Sequence, residues 1–286
     1  MSDTIAFIDF ETTGLSADNG DRPTEVAIVL VESQRITDRF QSLINPGRRI
    51  PSDVVSLTGI TDAMVSNAPS PSEVMRLVHG KIQSYPLVAH NASFDRKFFD
   101  AECQRISIRR RQDFYCSIRV ARRVYREAPN YKLGTLVQLA QPQWPSQAHR
   151  ALADAEMTAK LWISMEQRLQ ERYGIDEVPF GLMANLQSVR IASADDYIRR
   201  FVESKKVPKS RKPRKLSASG NSVAHPRGTV KPKPTSLGPA ALASRSIPSS
   251  ARITCITCHG SVTVQDTNWN KWVKCPHCGF NTPRNG

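Results

Sequence analysis

The 286-residue sequence lacks any apolar run close to the roughly 20 residues that a transmembrane helix requires. Its first residues also lack a basic segment, a following apolar segment and a cleavage site, so we expect no signal peptide. These absences argue against an integral membrane protein and against a membrane partner. They predict a cytoplasmic protein, associated with the nucleoid if its source is bacterial.

Cysteine is scarce, and its placement argues against a disulfide framework. Four of the six cysteines lie together near the C-terminus, whereas Cys103 and Cys116 stand alone in the sequence. Clustered cysteines in a chain of this kind favour a metal site in a reducing compartment.

Acidic residues are nearly absent from the last part of the chain. Residues 201–286 hold 15 lysines and arginines against two acids, whereas residues 1–200 hold 25 against 24. The net charge of +14 therefore belongs to the tail. A basic tail favours a polyanionic partner, most often nucleic acid, and the alternative is a solvated linker that keeps the chain soluble.

The order of apolar patterns predicts one mixed α/β domain followed by smaller parts. Most of the strand patterns come first and the helical patterns follow, which indicates a sheet with helices packed around it. The predicted strands cover 4–11, 25–32, 36–44 and 85–90, and the main helices cover 70–84, 118–125, 133–140 and 149–172, with another after residue 95. The predicted parts are the domain at 1–175, appended helices at 176–203, a disordered basic linker rich in proline and serine at 204–251, and a cysteine-rich module at 252–286.

The first strand carries two carboxylates at its end. Asp9 and Glu11 are two residues apart, so their side chains lie on the same face of a strand. Two buried carboxylates repel each other unless a metal ion supplies compensating charge. A strand end whose acids face water is the alternative, and these two residues alone do not decide between them.

Three motifs in order resolve this ambiguity. The segments FIDFETTG, HNASFD and HRALADA carry Asp9 and Glu11, then Asp95, then His149 and Asp154. They resemble the three motifs of the DEDDh 3′–5′ exonucleases, the DnaQ-like proofreading family, over about residues 3–172. The resemblance implies a ribonuclease-H-like fold. Residues 113–117 depart from the Asp-Thr pair of many relatives, at a position expected to support packing.

The resemblance also implies a role for each motif residue. Asp9 would bridge two metal ions, and Glu11 and Asp154 would hold the ion that activates water. Asp95 would help to hold the other ion, and His149 would act as general base. Hard cations such as Mg²⁺ or Mn²⁺ prefer carboxylate oxygens, and the pKa of histidine suits proton removal at neutral pH.

Substrate contacts are predicted on the residues that follow Glu11. In relatives, Thr12, Thr13 and Gly14 approach the terminal nucleotide, and Leu15 wedges against its base. Phe94 is a further candidate for the pocket, although helix-spaced phenylalanines more often belong to a core. The arginines at 109–111 would contact phosphates or form a solvated basic turn.

The C-terminal cysteines form a CxxC-x16-CxxC pattern. Two such pairs make a closed tetrahedral site, which is typical of structural zinc. The spacing resembles a zinc ribbon, in which zinc binding supplies much of the folding free energy. The aromatic residues Trp269 and Trp272 would either stack on bases or cover the core of the ribbon. The four predicted ligands are Cys255, Cys258, Cys275 and Cys278.

The sequence thus predicts an exonuclease with two Mg²⁺ or Mn²⁺ ions and one structural Zn²⁺. It would release nucleoside monophosphates from the 3′ ends of DNA, most simply single-stranded ends. A DNA polymerase or another replication or repair protein is a candidate partner. The alternatives are a 3′–5′ exoribonuclease and a non-catalytic adaptor that binds nucleic acid or a polymerase. Retention of all five motif residues argues against the adaptor.

Overall fold

A five-stranded mixed sheet is the centre of the domain. The computed structural model describes residues 4–82, 85–140 and 150–206, and four short strands nearer the C-terminus. The strands of the main sheet are β1 (Ile5–Thr12), β2 (Pro23–Glu32), β3 (Arg35–Leu43), β4 (Leu87–Ala89) and β5 (Phe114–Cys116). Their order is β3-β2-β1-β4-β5. β1 is antiparallel to β2 and parallel to β4, and β4 is parallel to β5. The predicted mixed α/β fold is confirmed.

Helices cover both faces of this sheet. In the described part of the chain they are α1 (Ser52–Thr58), α2 (Asp62–Val65), α3 (Pro71–Ile82), α4 (Ser93–Arg105), α5 (Ser117–Val124), α6 (Leu133–Ala140), α7 (Ala151–Tyr173), α8 (Phe180–Leu186) and α9 (Ala194–Lys206). No helix among these residues is both long enough and apolar enough to cross a bilayer.

The alternation of side chains along β1 divides the core into two layers. Phe7 points into the layer formed with α5 to α9, whereas Ile8 and Phe10 point into the layer formed with α3 and α4. Both layers are apolar, so the centre of the sheet is shielded from water on each side. Trp162 of α7 is fully buried and meets the ring of Phe7 edge-on at 6.1 Å between centroids.

Several element boundaries differ from those predicted, and one strand is new. The patterns predict no strand at β5, because three half-buried residues are too few to show an alternation. This strand exists because the open edge of β4 pairs with it, Leu87 opposite Phe114. α7 begins at Ala151 and ends at Tyr173, and Gly174 caps it in a left-handed conformation with φ 63°. α9 continues to Lys206, beyond the boundary predicted at 203.

The C-terminal module is described only in part. Two antiparallel pairs are present, β6 (Ala251–Thr254) with β7 (Ser261–Val264) and β8 (Val273–Lys274) with β9 (Asn281–Thr282). The four predicted zinc ligands, Cys255, Cys258, Cys275 and Cys278, lie outside the described residues. Residues 207–250 of the predicted linker lie outside them as well. The zinc ribbon and the disordered linker therefore remain predictions.

The helices after residue 175 share the core of the main domain. Leu182, Met183 and Leu186 of α8 and Ile198 of α9 are buried in the same apolar cluster as Phe7. α8 and α9 therefore stabilise the layer in which α7 contacts the sheet.

We predict that Leu186→Ala lowers the free energy of unfolding by about 2–5 kcal/mol, because it opens a cavity in this layer. Leu186 is fully buried, whereas Leu57 is 58% exposed and supplies a matched control. Leu57→Ala should change stability by no more than about 0.5 kcal/mol. Denaturant unfolding of the full chain measures both, and equal effects would contradict a shared core.

Candidate active site

Asp9 and Glu11 lie on the face of β1 that α7 covers. They continue the alternation that places Phe7 in this layer. Across the strand pair, Asp9 lies opposite Ala27 of β2, and Glu11 lies opposite Glu25. The apolar start of β1 is thus core, and its carboxyl end presents two acids to the start of α7.

Asp154 completes this group from the first turn of α7. Carboxylate oxygens of Asp9, Glu11 and Asp154 all lie within 4.8 Å of one another. Ala151 and Ala155, which flank Asp154 in α7, are fully buried. Small side chains at these two positions let the start of the helix approach the sheet closely. The structure therefore brings together three of the predicted metal ligands.

Asp95 approaches from the opposite side of β1. It lies in the first turn of α4 and is only 2% exposed. Its Oδ1 accepts a hydrogen bond from the backbone N–H of Phe10 at 3.2 Å. On the same edge of β1, the N–H of Ala6 donates to the carbonyl of Pro86 at 3.0 Å. The Asp95 carboxylate takes the place of a strand partner where β4 has ended, which holds it against the acid-bearing end of β1.

Burial and mutual repulsion raise the pKa of these carboxyls. The pKa of Asp9 is raised well above its ordinary value by burial first, and then by Asp95, Asp154 and Glu11. Burial is also the main cause that raises the pKa of Glu11 to about 7, and the nearby Arg150 guanidinium partly offsets it. Burial likewise raises the pKa of Asp95. The cluster concentrates negative charge that only protons or a cation can balance.

A divalent cation fits this donor set. Carboxylate oxygens are the ligands that Mg²⁺ and Mn²⁺ prefer, and the spacing of the oxygens suits a shared ion. A cation would also remove the electrostatic cost of placing these acids together. Asp9, Glu11 and Asp154 are each half-buried, so water reaches the cluster, but acids gathered from two elements are more than a strand end that faces water.

The predicted general base, His149, lies outside the described residues, so its role remains a prediction. Another histidine, His90, is described, and its ring serves the fold. Its Nδ1 pairs with the Ser117 hydroxyl at 2.8 Å, and its Nε2 pairs with the Tyr131 carbonyl at 3.1 Å. Burial lowers the pKa of His90 to about 4, and the bond to Tyr131 offsets only part of that effect. His90 is therefore neutral at pH 7 and ties β4 to the segment before α6.

The loop after β1 turns its polar side chains inward. Thr12 donates to the Gly14 carbonyl at 2.5 Å, and the Thr13 hydroxyl accepts from the backbone N–H of Arg22 at 3.0 Å. A Cβ at Gly14 would overlap the carboxylate of Asp21, so a larger residue here would have to displace that side chain, which accepts from the Ser16 N–H. These bonds fix the conformation of the loop.

Leu15 stands out from this loop. Its side chain is 84% exposed, the highest value among the exposed large apolar residues of the described chain. The contact of Leu15 with a nucleotide base remains a prediction.

The other predicted contact residues divide between surface and core. Phe94 is half-buried and packs on Phe98, which is buried, with ring centroids 5.0 Å apart. Arg110 pairs with Asp100 at 2.6 Å and lies over the Phe114 ring, so it serves the fold. Contacts of Phe94 or of the arginines at 109–111 with substrate remain predictions.

The comparison with known families agrees with this geometry. The model of the RNase T exonuclease family matches residues 6–162, which run from β1 into α7 and include all four acids. This chain belongs to that exonuclease family. The family predicted from the three motifs is confirmed.

Curated relatives include much longer proteins. A DNA polymerase III PolC-type from Oceanobacillus iheyensis is 39% identical over 171 residues, which cover 59% of this chain and 12% of the relative. The 3′–5′ exonuclease DinG of Bacillus subtilis is 33% identical over 165 residues, covering 57% of this chain and 18% of the relative. This exonuclease-family chain therefore matches only a small part of each relative.

Solved structures show the same fold. The nuclease domain of 3′hExo, described as a DEDDh family member bound to rAMP, matches with a TM-score of 0.52 and 22% identity, over 58% of this chain and 92% of that domain. An exonuclease I structure matches with a TM-score of 0.51 and 19% identity, over 59% of this chain and 41% of that protein. At this identity the likeness supports the ribonuclease-H-like fold alone.

Sequence reasoning missed two charged residues beside the acids. Glu25 of β2 is fully buried opposite Glu11, and Arg150 donates to it from Nε and Nη2 of its guanidinium. The available signal was an acid at the start of an otherwise apolar strand. That signal is weak, because strand ends often carry exposed acids.

We predict that at alkaline pH, where Asp9 is ionised despite its raised pKa, Asp9→Asn raises the melting temperature of the metal-free chain, because it removes one charge from a repelling cluster. The free energy of unfolding should rise by about 1 kcal/mol, which is typical of substitutions that relieve a destabilised functional site. Mn²⁺ should raise the melting temperature of the wild type and leave that of the variant nearly unchanged. Thermal unfolding in EDTA and in Mn²⁺ measures both effects.

The control for this prediction is Asp100→Asn, which removes a half-exposed acid of α4 that pairs with Arg96 and Arg110. This variant should keep the Mn²⁺ effect and gain no stability in EDTA. An Asp9→Asn chain that is less stable than wild type in EDTA would contradict the repulsion argument.

Proposed function

We propose that this chain is a metal-dependent 3′–5′ exonuclease that releases nucleoside monophosphates from DNA ends. The observation that carries the proposal is the convergence of Asp9, Glu11, Asp95 and Asp154 from three separate elements at one end of β1. Membership of the exonuclease family supports the reaction class. Retention of all four acids favours an active enzyme over an adaptor.

The four acids would hold two Mg²⁺ or Mn²⁺ ions. When bound, such ions supply Lewis-acid stabilisation of the attacking and leaving oxygens in phosphodiester hydrolysis. Asp9 would share both ions, and Glu11 and Asp154 would hold one of them. Asp95 would contribute to the second ion while its other role, the bond to Phe10, keeps it in position.

The remaining chemistry falls to His149 and to the loop after β1. His149, two positions before the first residue of α7 in the sequence, would take the proton from the attacking water. The rigid loop of Thr12, Thr13 and Gly14 would place its backbone against the terminal nucleotide. Leu15 would pack against the last base and orient the scissile bond.

DNA is the preferred substrate in this proposal. The support is that relatives above 30% identity include DNA polymerases of the PolC type. RNA is the alternative, and discrimination would depend on contacts to the 2′-hydroxyl. The assay described below includes both substrates.

The basic tail would hold the nucleic acid during trimming. Residues 201–286 carry 15 lysines and arginines against two acids, which suits phosphate contacts that weaken steeply with salt. The four C-terminal cysteines would bind one structural zinc and form a small folded module. A polymerase or another replication or repair protein is the proposed partner, since PolC-type relatives contain the matching region within a longer chain.

We predict that Asp9→Ala and Asp154→Asn each abolish Mg²⁺-dependent shortening of 3′ ends, because each removes a ligand from the shared cluster. The rate of shortening should fall by more than about 100-fold. That is the upper end of the range for residues that only orient a metal ligand, and these residues are ligands themselves. Single-stranded DNA, mismatched duplex DNA and RNA, all with 5′ labels, report the shortening in Mg²⁺ or in EDTA.

The matched control is Asp100→Asn, whose acid pairs with arginines outside the cluster. This variant should shorten DNA at the wild-type rate. Undiminished shortening by Asp9→Ala would overturn the proposal. Tight binding without turnover in Mg²⁺ would favour the adaptor, and faster shortening of RNA than of DNA would favour the exoribonuclease.

We predict that Leu15→Ala raises KM for single-stranded DNA about 3- to 10-fold, because it removes an apolar contact worth about 1 kcal/mol to the terminal base. Since the side chain is exposed, the free energy of unfolding should stay within about 0.5 kcal/mol of wild type. Ile191, 44% exposed between α8 and α9, supplies the control substitution Ile191→Ala. An unchanged KM for Leu15→Ala would contradict the predicted wedge.

A further inference from the structure

Glu25 is a fully buried carboxylate beside the candidate metal site but outside its ligand cluster. It lies on β2 directly opposite Glu11, and its exposure is 0%. Like charges opposite each other on neighbouring strands destabilise a sheet, and a buried carboxylate costs several kcal/mol unless it is well paired. A residue with this cost needs a compensating role.

Four hydrogen bonds occupy both oxygens of Glu25. Oε1 accepts from Nη2 of Arg150 at 2.7 Å and from the Gln41 side-chain amide at 2.6 Å. Oε2 accepts from Nε of Arg150 at 3.1 Å and from the backbone N–H of Ala151 at 3.1 Å. A carboxylate offers about four acceptor positions, so this set saturates it. In this arrangement Glu25 joins β2, β3 and α7 and is not a metal ligand.

The bond to Ala151 fixes the start of α7. Arg150 precedes this helix and makes no capping bond with its side chain. Glu25 therefore replaces the missing cap from a neighbouring strand and places negative charge at the positive end of the helix. Asp154 lies three residues after Ala151, within the same first turn. The position of its carboxylate relative to β1 thus depends on where Glu25 holds the helix.

The two hydrogen bonds from the Arg150 guanidinium to Glu25 hold its positive charge in place. The guanidinium interacts favourably with Glu11, which is otherwise surrounded by acids. A bidentate bond from arginine to carboxylate sets orientation as well as distance. Without Glu25 the Arg150 side chain, 45% exposed, would be free to turn into solvent.

We propose that Glu25 is a positioning residue of the metal site. Through Ala151 it sets the place of Asp154 in the ligand cluster. Through Arg150 it sets a fixed positive charge beside Glu11. This proposal rests on the proposed function insofar as the cluster must bind divalent metal.

Mn²⁺ binding to the full chain tests the proposal without a turnover assay. Electron paramagnetic resonance of free Mn²⁺ gives the affinity, and denaturant unfolding of the same samples gives the stability. We expect Glu25→Gln to weaken Mn²⁺ binding about 10- to 100-fold, the range for partners that orient metal ligands. Arg150→Lys should weaken Mn²⁺ binding less, because lysine keeps the positive charge but cannot make the paired hydrogen bonds to Glu25.

Glu166→Gln is the matched control. Glu166 is a buried glutamate of the same helix, 7% exposed, 12 residues beyond Asp154 and thus about 18 Å further along α7. Its substitution should alter stability and leave the Mn²⁺ affinity unchanged. If Glu25→Gln changes stability in the same way and binds Mn²⁺ as tightly as wild type, Glu25 is only structural and the proposal is overturned.

A second comparison separates this proposal from the proposed function. Asp154→Asn must weaken Mn²⁺ binding if the cluster is a metal site. If it does so while Glu25→Gln does not, only the positioning role fails. If neither has an effect, the metal site itself fails. Should Glu25→Gln not fold, Arg150→Lys decides, and an affinity within about twofold of wild type contradicts the proposal.

Discussion

The repulsion among four carboxylates at the end of β1 is the constraint on which the arrangement of this domain depends. Side chains that repel each other do not assemble by their own attraction, so the rest of the fold must hold them. Asp9 and Glu11 are fixed by a strand that is core at its other end, Asp95 by the bond to Phe10, and Asp154 by the start of α7. The apolar layers supply the free energy that keeps this cluster together.

α7 serves the core and the site at once. Its middle buries Trp162 against Phe7, and its first turn presents Asp154 to the acids of the same strand. A shift of α7 that improved its packing would move the Asp154 carboxylate. A shift that moved Asp154 would in turn alter the packing. α8 and α9 add buried apolar side chains to the cluster that holds α7 against the sheet.

The sequence allowed the fold class and the four acids to be predicted, because motifs and period-two alternation are local signals. β5 escaped prediction, since its three residues form a strand only because β4 presents an open edge. Glu25 escaped for a related reason. An acid at a strand end is normally exposed, and its burial here depends on Arg150 and Ala151, which lie about 125 positions later in the chain. Such contacts are decided by the tertiary structure and leave no local pattern.

Glu11 and Glu25 show two solutions to one electrostatic problem. They lie opposite each other on neighbouring strands, and both are acids on the α7 side of the sheet. The chain neutralises Glu25 permanently, with an arginine fork and a helix N-terminus, whereas Glu11 has only a neighbouring guanidinium as partial compensation. Neutralising both internally would take Glu11 out of the ligand cluster, and neutralising neither would leave two like charges opposed on neighbouring strands. The asymmetry lets one glutamate organise the site while the other stays available to bind metal.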